Sequence, residues 1–206
     1  MDVRIILMKT KNDRYHKGNL RRTLLDAATQ LLEEKGSSEF SLREVARVAG
    51  VSHTAPYRHF KDKAALARGI AQQGFDDLHA TIQAAQESGD DIEQQLITAG
   101  VNYVIEVVNS PERARLMFSG LEIDPDDQAY IESCCAAYND LRSIILAGIE
   151  QKIFNGDLDS ITLAAWSAVH GMAMLYSSGV ELGVSSIEEL KERARVLTHQ
   201  VINGFK

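Results

Sequence analysis

Cysteine, proline, long apolar runs and strand patterns are all scarce in this chain, and each scarcity removes a class of explanation. The two cysteines, Cys134 and Cys135, are adjacent, have no CxxC partner and fall in a helical pattern. Reduced, partly buried thiols are therefore expected rather than a disulfide or a metal site, with a redox pair as the alternative. The run Ile5 to Met8 is far too short for a signal-peptide core or a membrane span, which points to a cytoplasmic protein with no membrane partner. There is no HExxH, no Gly-rich phosphate loop and no GxSxG, and the six histidines are scattered without metal-ligand spacing. No catalytic residue, metal or cofactor is expected. The acids Asp124, Asp126 and Asp127 beside Pro125 suit a helix start and its dipole without further purpose.

What is present is helical periodicity. With 45% hydrophobic residues the 206-residue chain has enough apolar material for a small domain and a larger one. Leu20, Leu24, Ala28, Leu31 and Leu32 form one face after a plausible cap at Asn19, and Gly36 stops that helix. Beyond Asp62, apolar residues keep recurring at helical spacing: Leu66, Ile70, Leu78 and Ile82, then Ile92, Leu96, Tyr103 and Val107. Breaks fall at Ser88-Gly89-Asp90, Asn109-Ser110-Pro111, Asp124-Pro125, Asn155-Gly156-Asp157 and Gly183 to Ser186, with Pro111 and Pro125 just inside helix starts. The pattern predicts an all-α chain of about nine helices and no sheet.

Charge is divided along the chain. Residues 1–63 hold 13 Lys/Arg against 8 Asp/Glu, or +5, and the remainder holds 9 against 21, or −12, giving the net −7. A basic head on an acidic body is drawn to a polyanion by one end only. Met1 to Gly18, with Arg4, Lys9, Lys11, Arg14 and Lys17, has little helical pattern and reads as a flexible basic arm.

The segment Ser41 to Lys63, SLREVARVAGVSHTAPYRHFKDK, reads as two short helices around a tight turn. Ser41-x-x-Glu44 forms a capping box, and Phe40 with Val45 is spaced as a hydrophobic staple. Leu42, Val45, Ala46 and Ala49 share a face, and Gly50 follows where a left-handed residue ends a helix at little cost. Val51 plugs the turn, Ser52 is placed to cap a second helix, and His53, Thr54, Tyr57, Arg58 and His59 supply its polar side. An ordinary αα-hairpin with a solvated face has the same outline. The residue types separate the two readings: His53 to Lys63 carries two histidines, Arg58, Lys61 and Lys63 against the single acid Asp62, a bias that phosphates explain better than water does.

The runs LRRTLLDAATQLLEEKG and FSLREVARVAGVSHTAPYRHFKDKAAL resemble the TetR/AcrR family of bacterial transcription regulators almost continuously from Leu20 to Leu66. A shorter resemblance, WSAVHGMAML from Trp166, is to the Trp-x-x-x-His-Gly signature of a subgroup. The chain departs from the usual Gly-Thr-Leu-Tyr or Gly-Ser-Leu-Tyr, having Thr54-Ala55-Pro56-Tyr57, with Pro56 where a leucine usually packs inward. Proline lacks an N–H, which implies a short recognition helix.

The resemblance implies a flexible arm over 1–18, a three-helix helix-turn-helix DNA-binding domain over 19–65 and a helical effector-binding and dimerisation domain over 66–206, linked by the long helix after Asp62. It implies that Arg43, His53 and Thr54 face base edges and that Ser41, Tyr57, His59 and Lys63 grip phosphates, with Ser52 at the start of the reading element. It also implies a homodimer on a pseudo-palindromic operator in double-stranded DNA, and a small, largely apolar effector of unspecified identity that releases it. Phe60 is expected to be structural.

Two stripes in the body bear on these expectations. Ile187, Leu190, Ala194, Leu197 and Val201 alternate spacings of three and four, the seam of a helix pair, which is either core or subunit interface. Trp166, His170 and Met174 lie on one helix face with Gly171 beside them. Read functionally they wall an effector site together with Tyr103, Met117, Phe118 and Tyr138. Read plainly they are core filling or interface. An activator or architectural DNA binder without an effector, and a helical enzyme, are the competing functions.

Overall fold

A computed structural model of the chain describes residues 20–119, 127–180 and 183–206. The expected arm over 1–18, the cap at Asn19 and the Asp124-Pro125-Asp126 helix start lie outside the described residues. Among the described residues there are eight α-helices, one 3-10 turn and no strand: α1 Leu20–Lys35, α2 Leu42–Val48, α3 Lys63–Gln86, α4 Ile92–Asn109, α5 Pro111–Met117, α6 Gln128–Glu150, α7 Leu158–Ser177 and α8 Ile187–Asn203. The ninth expected helix, the second of the helix-turn-helix, is instead the 3-10 turn Pro56–Arg58.

Pro56 accounts for that correction. With no N–H it cannot donate to Ser52, as an α-helix would require, and the Ser52 carbonyl accepts from Ala55 N at 3.0 Å instead. Tight turns follow, with Arg58 N on the Ala55 carbonyl at 3.2 Å and His59 N on that of Pro56 at 2.9 Å. Ser52 does not act as the expected cap: the turn's N-cap is Ala55, with no side-chain hydrogen bond. Pro56 still takes the inward position, fully buried.

The chain divides into two compact units. One holds residues 20–75, 110–119 and 127–132, the other residues 76–109, 133–180 and 183–206, so α3 and α6 each contribute to both. In the first unit, Leu24, Leu25, Ala28, Leu31 and Leu32 of α1 pack with Phe40, Leu42, Val45, Phe60, Leu66 and Ile70 into a single core. Burial of a side chain such as Leu24 or Ile70 contributes about 1.5–3 kcal/mol, so this small unit has a core of its own. Asp62 caps α3, its carboxylate accepting from Ala65 N at 2.8 Å.

The N-terminus of α5 is held by a distant residue. Its N-cap, Ser110, makes no side-chain cap bond. The α1 carboxylate of Glu33 accepts instead from the backbone N–H of Glu112 at 3.1 Å and of Arg113 at 2.8 Å. Burial pushes the Glu33 carboxyl above its ordinary value, against the lowering effect of those two N–H groups.

In the second unit α4 packs on both α7 and α8, which also pack on each other. Gly100 lets them close: a Cβ there would stand 2.7 Å from Thr198 Oγ1 and 3.2 Å from Val169 Cγ1. Asp157 and Ser186 cap α7 and α8, each accepting from a backbone N–H three residues on. Leu190 and Ala194 of the α8 stripe are buried in the chain's own core, while Ile187, Leu197 and Val201 are half-buried. Of the two cysteines, Cys134 is half-buried and Cys135 exposed, both reduced.

Candidate nucleic-acid interface and effector site

The first helix of the expected reader is fixed at both ends by local chemistry. Ser41 Oγ accepts from Glu44 N at 3.2 Å while Glu44 Oε2 accepts from Ser41 N at 2.8 Å, completing the capping box. Lys35 Nζ donates to Glu44 Oε1 at 2.7 Å. That bond, followed by those from Ser41, holds the Glu44 carboxyl down to about 2. Phe40 and Val45 are both buried in the same core, as a staple requires. At the other end Gly50 takes φ +67°. Its N–H reaches the Arg47 carbonyl at 3.2 Å and the Val51 N–H that of Ala46 at 3.0 Å, the paired bonds of a Schellman ending.

All eight residues assigned to DNA, Ser41, Arg43, Ser52, His53, Thr54, Tyr57, His59 and Lys63, are exposed. Tyr57 is 54% exposed, much for an aromatic ring. Ser52 and Thr54 join their hydroxyls at 3.3 Å. Phe60 is buried as expected, with the Arg21 guanidinium 5.7 Å over its ring. Three further exposed cations, Arg47, Arg58 and Lys61, complete a surface suited to phosphates. Arg47 was absent from the expected set, although its spacing of four from Arg43 puts the two on one helix face.

In the second unit, α4, α6 and α7 bring together four of the expected effector residues. The Tyr103 hydroxyl of α4 meets His170 Nδ1 of α7 at 2.6 Å. Burial pushes the Tyr103 phenol up to about 12, with a hydrogen bond from Trp166 as the lesser, opposing influence. Burial also pushes His170 below its ordinary value. Both are neutral at pH 7, which suits a phenol O–H donating to an unprotonated Nδ1. The Trp166 and His170 rings lie 6.1 Å apart, Tyr138 of α6 lies 5.8 Å from Trp166, and the Arg142 guanidinium lies 5.9 Å over Tyr138. Arg142 also pairs with Asp159 in the first turn of α7.

Met174 is half-buried one turn beyond His170. Met117 and Phe118 fall in the other unit: the Met117 side chain fills the space a Cβ at Gly74 would need, and Phe118 stands edge-on to Phe75 at 5.7 Å. Among the described residues no group of His, Cys, Asp and Glu is arranged to hold a metal, and no helix is long and apolar enough to cross a membrane.

Residues 24–70, spanning this exposed cationic segment and its core, match the family described as bacterial regulatory proteins, tetR family. Over 149 residues the chain is 30% identical to the HTH-type transcriptional regulator AcrR of Shigella flexneri, covering 67% of this chain and 68% of that relative. The chain belongs to the TetR/AcrR family. Membership makes it a DNA-binding transcriptional regulator rather than an enzyme. The family fold extends through both units: a Rhodococcus sp. RHA1 protein of unknown function superposes with TM-score 0.76 and 29% identity over 94% of this chain and 99% of that one. FadR of Bacillus subtilis, solved in complex with stearoyl-CoA, shares the fold at TM-score 0.69 and 14% identity, covering 90% of this chain and 100% of that one.

Proposed function

We propose that this TetR/AcrR regulator is a repressor that binds a pseudo-palindromic operator as a homodimer and leaves it when a small, largely apolar molecule enters the second unit. The observation that carries the ligand-responsive part is the array of Tyr103, His170, Trp166 and Tyr138, contributed by three helices, with the Tyr103 hydroxyl bonded to His170 Nδ1. FadR, of like fold, was solved holding stearoyl-CoA, which supports an effector with a large apolar part.

The proposed DNA contacts are Arg43, His53 and Thr54 to base edges and Ser41, Tyr57, His59 and Lys63 to phosphates, with Arg47, Arg58 and Lys61 added to the phosphate set. Two such surfaces about 34–36 Å apart reach successive major grooves. The homodimer draws support from α7, which has no Asp, Glu, Lys or Arg from Ser160 to Ser178 yet exposes Leu163 at 58% and Leu175 at 51%. Coupling of about 1–3 kcal/mol between effector and operator weakens DNA binding severalfold to about a hundredfold.

The test titrates full chain against a selected operator duplex with and without compounds that perturb Trp166 fluorescence. Weaker operator binding in the presence of such a compound is expected. Operator affinity unchanged by every compound that binds would remove the coupling, and would favour a regulator that acts without an effector.

A further inference from the structure

We infer that the effector is an organic acid, its apolar body packed against the rings of the second unit and its carboxylate held by Arg142 in place of Asp159. This rests on the effector reading above and adds the ligand's chemical class.

The contacts form a graded series from buried to exposed. At its inner end Tyr103 is buried and hydrogen-bonded to His170, so a charged group placed there would lose its water without gaining a counter-ion. Trp166 and Tyr138 continue the series as ring surface, at centroid separations of 6.1 Å from His170 to Trp166 and 5.8 Å from Trp166 to Tyr138. The outer end is Arg142, one helical turn beyond Tyr138 on α6 and 5.9 Å over its ring. A molecule laid against the half-buried rings of His170, Trp166 and Tyr138 meets mainly ring surface, and meets a guanidinium where Arg142 stands.

The sign of a ligand charge there follows from the guanidinium. A cationic end would meet a like charge, whereas a carboxylate matches the planar fork of Arg142 with two parallel N–H bonds. Arg142 has two side-chain partners, Asp159 and the Tyr138 hydroxyl, and the first is easily displaced: the Asp159 side chain is 74% exposed against 31% for Arg142, and ion pairs at such exposure are weak. Asp159 stands where the ligand carboxylate would go, and α6 and α7, which carry the two partners, also carry Tyr138 and Trp166. Ligand entry therefore exchanges one anion for another on Arg142 and leaves the exposed Asp159 carboxylate to water.

Trp166 is the only tryptophan, so its fluorescence reports occupancy at this position in the full chain. The probes are 4-alkylbenzoates of increasing chain length, the matching benzamides and the matching 4-alkylphenyltrimethylammonium ions, each also scored for release of an operator duplex. The expected result is half-saturation by at least one benzoate at a concentration about tenfold lower than for its amide. Arg142→Ala should abolish that preference, Arg142→Lys should reduce it, and Asp159→Asn, which removes the competing anion, should tighten benzoate binding severalfold.

Amides or ammonium ions that bind as well as the acids overturn the inference, as does a preference that survives Arg142→Ala or no response to any benzoate. If the amides or ammonium ions also release the operator, the effector reading stands and only the ligand class falls. If acids bind as expected but leave operator affinity unchanged, the ligand class stands and the release reading falls.

Discussion

Arg43, exposed on α2, and Lys63, at the first residue of α3, carry the same charge and have different proposed tasks. Lys63→Ala should weaken binding to all duplexes alike and lower the salt slope by about 1, whereas Arg43→Ala should relax preference at one base pair by roughly 1–3 kcal/mol. Equilibrium binding to the operator and to single-base variants at several salt concentrations distinguishes them, and the reverse pattern would exchange the roles. Titration offers a second test at this scale. Glu44 is held below its ordinary value of 4.5, so its contribution to stability is complete above that pH and is lost as pH falls toward about 2. His170 is held below 6.5, so its neutral form stabilises the fold above that pH and the contribution fades on acidification through and below it. Unfolding followed by Trp166 fluorescence should become easier as pH drops from 7 toward 5, and His170→Gln should flatten that dependence.

Among the elements, α2 was legible almost to the atom because its determinants are contiguous: the cap, the staple partner and the terminating glycine all lie between Phe40 and Val51. The 3-10 turn was half legible. Pro56 announced a shortened helix, but local sequence did not show that the Ser52 carbonyl would turn to Ala55 N. The start of α5 was marked by Pro111, while its cap was hidden, since Glu33 lies 80 residues from the Arg113 N–H it accepts. A carboxylate acting over that separation leaves no periodic trace. Glu33→Ala strands two backbone donors, and denaturant unfolding should register a loss of about 1–3 kcal/mol. The effector stripe divides in the same way: Trp166 and His170 were paired by their spacing on α7, whereas Met117 and Phe118, assigned by residue type alone, pack in the other unit beside Gly74 and Phe75.

At the scale of the whole molecule, the charge is divided as the proposed tasks are: +5 over residues 1–63, which include the exposed cations of the proposed interface, and −12 over the rest, which include the ring array. Of the expected α8 seam, Leu190 and Ala194 lie in the chain's own core while Ile187, Leu197 and Val201 stay half-buried, and the uncharged, partly exposed side of α7 is a further candidate for self-association. Leu175→Asp would place a charge on that side. Sedimentation should then show a shift toward monomer, and operator affinity should fall with it because two linked surfaces bind more tightly than one. The account's central claim is that these exposed residues read DNA in a sequence-dependent way. Selection by the full chain from a pool of random duplexes tests it most directly. The expected result is enrichment of a pseudo-palindromic sequence whose binding weakens steeply with salt and is reduced by Arg43→Ala. A pool that stays random after repeated rounds, with equal affinity for every duplex recovered, would contradict it.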